Sequence, residues 1–157
     1  MNKIIKYKNI YWIYTSIYIF IIDLIIKNLF IIKLCIGCKF YFCFFINITH
    51  IHNLGTIFNF LSNGYIWQTC ILNVNSIFII FLSLINIIIF NNNIIDNMSS
   101  SMILGGAMGN LFDRLNNKFI IDYIDFHIKN FHFPIFNISD ISITIGLFLI
   151  IFKKVMI

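Results

Sequence analysis

A long run without a single charged residue, from about 65 to 90, constrains the fold more than any other feature of the sequence. A helix needs about 20 residues to cross the apolar core of a bilayer, so this run is long enough for one span. Over the whole chain, 60% of the residues are hydrophobic and 11% are charged. That is too little charge to cover a soluble domain of this size. The sequence therefore predicts an integral membrane protein.

Three further apolar runs have the length of a membrane span. They lie at about 10–32, 97–115 and 136–152. The run at 97–115 is the least apolar, because it contains three serines and three glycines. Together with 65–90, these runs predict an all-α membrane protein of four transmembrane helices, folded as a single domain over residues 1–157.

Lysines mark the two ends of the chain. Lys3, Lys6 and Lys8 precede the first run, and Lys153 and Lys154 follow the last. An even number of spans places both termini on one side of the membrane, which the positive-inside rule makes the cytoplasmic side. The first run is too long for a cleavable signal peptide, and we expect it to remain as an anchor. We interpret the net charge of +5 as headgroup anchoring and predict no nucleic-acid partner.

A segment of different character, at about 34–63, alternates aromatic, polar and glycine residues and predicts short strands at the membrane surface. Asn53-x-Gly55 within it is typical of a turn whose backbone groups can bind a substrate chain, or of a plain hairpin. Cys35 and Cys38 have the spacing of a metal or redox pair, but the further ligands of a structural zinc site are missing. They are either small apolar residues or a disulfide formed in an oxidising compartment.

Two charged residues interrupt the first run. Asp23 and Lys27 are four positions apart, so they share one helix face, with the acid first as an ion pair prefers. Ionisable groups inside a span are costly unless they are paired. We therefore predict a structural pair that faces the interior of the helix bundle.

The third run ends in the densest polar motif of the chain. Gly105 and Gly109 have the spacing that lets helix backbones approach closely. Asn110 and Arg114 share one helix face, and Asp113 lies near both. An amide, a carboxylate and a guanidinium at the end of a packed helix can hold a peptide carbonyl or brace a site. The simpler alternative is an interfacial Arg with a partner acid.

Two further carboxylates can meet near one membrane interface. Asp122 follows the third run, and Asp140 lies near the start of the fourth, where Asn137 also allows a helix cap. Two close carboxylates share a proton, so one can accept a proton from water while the other donates to a scissile carbonyl. Asp122 and Asp140 are thus the candidate catalytic pair of an aspartic protease. A proton relay in a transporter is the alternative.

The sequence favours neither a metal centre nor a serine nucleophile. The histidines form no His-Glu-x-x-His motif. Ser99, Ser100 and Ser101 have no Lys or His base at suitable spacing. We therefore expect no metal and no cofactor.

Taken in order, these motifs resemble bacterial signal peptidase II, the lipoprotein signal peptidase, over nearly the whole chain. The matching positions are Asp23 and Lys27, Asn53-x-Gly55, Gly105-Gly106-x-x-Gly109-Asn110-x-x-Asp113-Arg114, Asp122-x-x-Asp125-Phe126 and Phe136-Asn137-x-x-Asp140. The two long motifs around the third and fourth runs are highly specific, whereas Asp23 and Lys27 alone are a weak match.

The resemblance implies an aspartic peptidase of the bacterial inner membrane, with four helices and a small periplasmic β-cradle on the outer face. It makes Asp122 and Asp140 the catalytic pair. It places the following residues at the substrate site or around the pair: Asn53, Gly55, Asn110, Asp113, Arg114 and Asn137. The implied substrates are prolipoproteins with a diacylglyceryl-modified cysteine, cleaved just before that cysteine. The implied inhibitor is the cyclic peptide globomycin. Membrane lipids are the other expected partners, and a monomer is sufficient.

The sequence departs from the family pattern beside the Asn-x-Gly motif. The family usually has Arg at the position of His52, and small residues where Thr56 and Asn59 lie. These positions bear on substrate preference and leave the catalytic pair intact.

Two rival functions stay open on the sequence alone. A small proton-coupled transporter would use the intramembrane charges as a relay. A non-catalytic remnant would bind prolipoproteins without cleaving them.

Overall fold

The computed structural model describes residues 3–54, 66–89 and 93–156. Helix dominates these ranges, and the strands occur in two consecutive pairs between the helices. In chain order the elements are α1 (Lys3–Lys33), β1 (Lys39–Cys43), β2 (Ile46–Asn53), α2 (Ile66–Ile89), α3 (Ile94–Asn116), β3 (Ile120–Ile128), β4 (Phe131–His132) and α4 (Ile138–Met156). The strands form one small antiparallel arrangement in the order β1-β2-β3-β4.

Two helix segments within the described residues are long and apolar enough to cross a membrane. They are Asn9–Lys33 of α1 and Trp67–Ile89 of α2. Helix α3 is less apolar because serines and glycines occupy its buried positions, and α4 ends in Lys153 and Lys154. The helical architecture with a small sheet is as predicted, whereas the four-span arrangement stays a prediction.

Helix α3 lies at the centre and packs against α1, α2 and α4. Glycines make this possible. A Cβ atom on Gly105 would lie 2.6 Å from the Ser16 carbonyl oxygen of α1, and one on Gly106 would lie 2.5 Å from the Ser139 carbonyl oxygen of α4. Small residues thus let the helix backbones touch, which explains why the central helix has the weakest apolar signal in the sequence.

The two ends of the helix bundle are built differently: polar contacts join the helix ends at one of them, and the sheet lies at the other. At one end the starts of α1 and α3 meet through Asn9 and Asn97, whose side-chain amides are 3.5 Å apart. The end of α4 joins them through an ion pair between Lys153 and Asp96. The sheet lies at the other end, where the backbone N–H of Ile121 in β3 donates to Asp113 near the end of α3.

The sheet extends beyond the segment predicted to form it. Strands β1 and β2 lie within 34–63, but β3 and β4 follow α3, where no strand was predicted. The first four residues of β3, Ile120 to Tyr123, are all buried, so the strand lacks the polar alternation that reveals a half-exposed strand. Helix α4 begins at Ile138 and not near 136, because the backbone of Phe136 pairs with Ile124 of β3.

A disulfide between Cys35 and Cys38 closes the turn that joins α1 to β1. Gly37 lies between the cysteines with a φ of +78°, a left-handed conformation that glycine adopts at no steric cost. Its N–H donates to the His50 carbonyl of β2 at 2.8 Å. Of the two interpretations of these cysteines, the structure has the disulfide.

Candidate active site

Asp122 lies on β3 and is almost completely buried, at 2% exposure. Each of its carboxylate oxygens accepts a hydrogen bond from an asparagine. Asn53, at the end of β2, donates to Oδ2 at 2.8 Å, and Asn137, just before α4, donates to Oδ1 at 2.7 Å. These two amides fix the orientation of the carboxyl group.

Asp140 lies in the first turn of α4 and takes part in a reciprocal cap with Asn137. The Asp140 N–H donates to Asn137 Oδ1 at 2.9 Å, and the Asn137 N–H donates to Asp140 Oδ2 at 3.3 Å. This is the capping-box geometry with an asparagine and an aspartate. The Asn110 amide of α3 donates to the other oxygen, Oδ1, at 2.8 Å.

Asn137 joins the two carboxyl groups. It is fully buried, and its side chain contacts Asp122 while it caps the helix turn that carries Asp140. Both aspartates line one cavity of about 260 Å³. The polar side chains around them in that cavity are Asn53, Asn75, Ser76, Asn110 and Arg114. The structure thus places one carboxyl group from the sheet, on β3, and one from the helix bundle, on α4, at the same cavity.

Burial, together with the negative charge of Asp140, raises the pKa of Asp122 to about 7, although hydrogen bonds from Asn53 and Asn137 act in the opposite direction. A buried carboxyl group close to a second one is poorly able to lose its proton. The two groups titrate as a coupled pair, which holds one proton up to about neutral pH. This is the electrostatic state that an aspartic peptidase needs.

A buried charge cluster lies beside the pair. The Lys27 ammonium is 2.6 Å from Asp23 Oδ2 and 2.9 Å from Asp113 Oδ2. It also donates to Asn110 Oδ1 at 3.3 Å. Because Lys27 and Asn137 both donate to this oxygen, the amide nitrogen of Asn110 faces Asp140. Besides the predicted ion pair with Asp23, Lys27 therefore forms an ion pair with Asp113 and a hydrogen bond that orients Asn110.

Asp113, predicted either to bind substrate or to brace the site, does not line the cavity. Its carboxylate contacts Lys27 and the N–H of Ile121, and it is not among the cavity-lining residues. It braces the end of α3 against α1 and β3. Arg114, the next residue, does line the cavity, and its Nη1 donates to Ser76 Oγ of α2 at 3.0 Å.

Only part of the Asn-x-Gly motif and its surroundings lies within the described residues, which end at 54 here. His52 stacks on Phe119 with ring centroids 3.6 Å apart. Gly55, Thr56 and Asn59 lie outside the described residues, so the roles predicted for them stay predictions.

Helix α2 contributes polar groups that the sequence analysis overlooked. Asn75 and Ser76 line the cavity, although the run that contains them was regarded as a plain span. Their signal was the interruption of an apolar run by polar residues at 73, 75 and 76. Polar side chains inside a span face the bundle interior or a cavity.

Comparison with known proteins identifies the family of this chain. The sequence model of a family described as "Signal peptidase (SPase) II" matches residues 15–156. The chain belongs to the signal peptidase II family. Signal peptidase II is an aspartic peptidase family, so the resemblance drawn from the motifs is confirmed, and neither a transporter nor a non-catalytic remnant is favoured.

Relatives cover almost the full length of the chain. The lipoprotein signal peptidase of Buchnera aphidicola subsp. Schizaphis graminum (strain Sg) is 45% identical over 148 residues, covering 92% of this chain and 94% of the relative. That of Yersinia enterocolitica is 33% identical over 156 residues, covering 98% and 91%. A solved structure described as a bacterial membrane enzyme, at 2.3 Å resolution, matches with a TM-score of 0.83 and 30% identity, covering 92% of this chain and 87% of its own. A second, at 1.9 Å, has a TM-score of 0.80.

Proposed function

We propose that this chain is a membrane aspartic endopeptidase that removes signal peptides from diacylglyceryl-modified prolipoproteins, cutting just before the lipidated cysteine. Asp122 and Asp140 are its catalytic residues. The observation that carries the proposal is the arrangement of two carboxyl groups from β3 and α4, oriented by Asn137 and open to one cavity. Names of the relatives, lipoprotein signal peptidases, supply the class of substrate.

The reaction follows from the shared proton of the pair. The ionised carboxyl group accepts a proton from a water molecule while the oxygen of that water attacks the scissile carbonyl carbon. The protonated carboxyl donates its proton to the carbonyl oxygen, which yields a neutral tetrahedral intermediate. Collapse of this intermediate re-forms the carbonyl, breaks the C–N bond and transfers a proton to the leaving amine. Exclusion of bulk water strengthens these interactions.

An apolar cavity supports entry of the substrate from the lipid. This cavity, of about 340 Å³, lies between α4 and the chain that precedes it and reaches Asp140. Its lining is almost entirely apolar and includes Phe126, Phe136 and Ile141. The lipid anchor of a substrate would lie in the bilayer beside it, while the peptide reaches the pair.

We further propose that the chain spans the inner membrane four times. Both termini would then lie in the cytoplasm, and the site would lie toward the outer face. The meeting of the α1, α3 and α4 ends opposite the sheet supports both termini on one side. The Cys35–Cys38 disulfide, at the sheet end, fits an oxidising compartment. We propose a monomer, since one chain provides all the described residues that line the 260 Å³ cavity, and we propose that globomycin occupies this cavity.

An assay in liposomes separates the peptidase from the transporter alternative. The protein is reconstituted with a lipid-modified prolipoprotein, and both peptide release and proton flux are followed. We expect cleavage that globomycin blocks, without flux above that of empty liposomes. Flux without cleavage would contradict the proposal.

Arg114→Lys is expected to lower kcat/KM by about 10- to 100-fold, because charge-assisted hydrogen bonds are worth about 1.5–3 kcal/mol. Lys keeps the charge but lacks the planar fork that reaches Ser76 and the cavity together. Steady-state cleavage measures the effect, with thermal unfolding as the control for folding. Wild-type activity would reduce Arg114 to an interfacial anchor.

The pH dependence follows from the raised pKa of Asp122. Above its pKa of about 7, the pair loses the proton that the carbonyl oxygen must receive, so kcat/KM is expected to fall as the pH rises. In acid, protonation of the second carboxyl removes the base, and the rate falls again. Cleavage rates across the pH range, with folding checked in the same buffers, test this profile. A rate that still climbs in alkaline solution would contradict it.

A further inference from the structure

A second polar cluster lies on the β3–β4 hairpin, away from the active-site cavity. It consists of Asp125, His127 and His132, here called the hairpin cluster. One ligand atom from each side chain lies within 4.8 Å of the other two. The geometry of the hairpin produces this proximity. Asp125 and His127 are two residues apart on one strand and so share a face, and His127 is the cross-strand partner of His132.

The hairpin cluster combines a fixed carboxylate with an accessible imidazole. Asp125 is 1% exposed, and its Oδ1 lies 2.7 Å from His132 Nδ1. The His132 side chain is 43% exposed, so one side of the cluster is open to solvent. The rings of His127 and His132 are stacked with centroids 5.0 Å apart. The buried acid is therefore held in place while His132 has room to turn.

Neighbouring polar groups leave the cluster able to accept a cation. The Asn47 amide donates to Asp125 Oδ2 at 3.4 Å and can stay there as a support to a metal-bound carboxylate. Lys39 is a competing cation, with its Nζ 3.6 Å from Asp125 Oδ2. Its side chain is 58% exposed, so it can move into solvent when a metal ion takes its place.

Two imidazoles and one carboxylate form a ligand set suited to zinc and to other divalent first-row transition metals. Ligand atoms about 2.0–2.1 Å from such an ion lie about 3.3 Å from one another in a tetrahedral site. The three ligand atoms now lie within 4.8 Å of one another, so binding requires small side-chain movements, for which the exposed His132 has room. A fourth position stays open to water.

We propose that Asp125, His127 and His132 bind one divalent transition-metal ion, with zinc as the best match to the ligands. The ion fastens the two-residue strand β4 to β3. Phe126 and Phe133, which flank the cluster residues in the sequence, line the apolar cavity that reaches Asp140. Metal binding therefore steadies the wall of that cavity. The inference rests on the hairpin alone and does not depend on the proposed peptidase activity.

Equilibrium dialysis against Zn²⁺ tests the proposal. The protein is purified in detergent through a tag that contains no histidine, stripped with a chelator and dialysed. About one zinc per chain is expected. His127→Ala and His132→Ala are each expected to weaken binding by at least about 10- to 100-fold, since even supporting residues of metal sites have effects of that size. The matched control is His52→Gln, which removes an imidazole outside the cluster and is expected to leave the affinity unchanged.

Thermal unfolding provides a second readout. Zinc is expected to raise the unfolding midpoint of the wild type by mass action, and to have no such effect on the cluster variants. His127→Gln and His132→Gln keep a polar side chain and replace the alanine variants if those do not fold. The proposal would be overturned if the wild type bound zinc no more tightly than the folded variants of the hairpin cluster. Loss of binding in His52→Gln alone would also overturn it, because the metal would then be held by the imidazoles of His50 and His52, whose Nε2 atoms are 3.1 Å apart.

Discussion

Asp122→Asn or Asp140→Asn is expected to lower the rate of signal-peptide cleavage by about a thousandfold or more, while the protein still inserts and folds. Each side chain supplies one half of the proton transfer, a role typically worth 10²–10⁴-fold. Asparagine has nearly the same shape, and at position 122 it keeps one oxygen that can accept the hydrogen bond of Asn53 or of Asn137. Thermal unfolding is therefore measured beside the rate, so that a loss of chemistry is separated from a loss of folding. Single-turnover cleavage of a lipid-modified prolipoprotein is the measurement.

The double variant and a remote acid complete this experiment. Residues that act as one unit are strongly non-additive, so Asp122→Asn with Asp140→Asn is expected to be hardly slower than either single variant. Asp96→Asn is the matched control, because this acid pairs with Lys153 at the end of the bundle opposite the sheet. Normal turnover by either active-site variant would refute the assignment of the pair.

Lys27→Met is expected to produce the largest loss of stability, about 3–5 kcal/mol in the free energy of unfolding. Met has a similar volume but no charge, so the substitution leaves two buried carboxylates, Asp23 and Asp113, without their shared cation. It also removes the donor that orients Asn110. Denaturant unfolding in detergent measures the change.

Lys154→Met provides the matched comparison for this substitution. Lys154 is exposed near the end of α4, and replacing an exposed lysine is expected to change stability by no more than about 1 kcal/mol. Adding Asp113→Asn to Lys27→Met removes one of the stranded charges and is expected to restore part of the loss. If Lys27→Met unfolds like the wild type, the buried cluster does not hold α1 to α3.

The membrane class and most residues of the candidate site were accessible from the sequence, because each left a local signal, whereas Asn75 and Ser76 of α2 were overlooked. An uncharged run predicted α2, and the i, i+4 spacing of Asp23 and Lys27 predicted their contact. The link from Lys27 to Asp113 joins separate helices, and no spacing within one helix reveals such a contact.

The sheet was only partly predictable. Strand β3 carries Asp122, but burial on both faces removed the alternation from its first half. The hairpin cluster depends on the pairing of His127 with His132, and register of this kind follows from the folded sheet and not from a motif.

The position of the cut tests the central claim most directly. Purified wild-type protein and its Asp140→Asn variant are each incubated with a lipid-modified prolipoprotein and, in parallel, with the same precursor lacking the lipid, and the products are weighed by mass spectrometry. We predict one cut, immediately before the lipidated cysteine, made by the wild type alone and on the lipidated precursor alone. An intact lipidated precursor after incubation with folded wild-type protein, or equal cleavage by Asp140→Asn, would contradict the account.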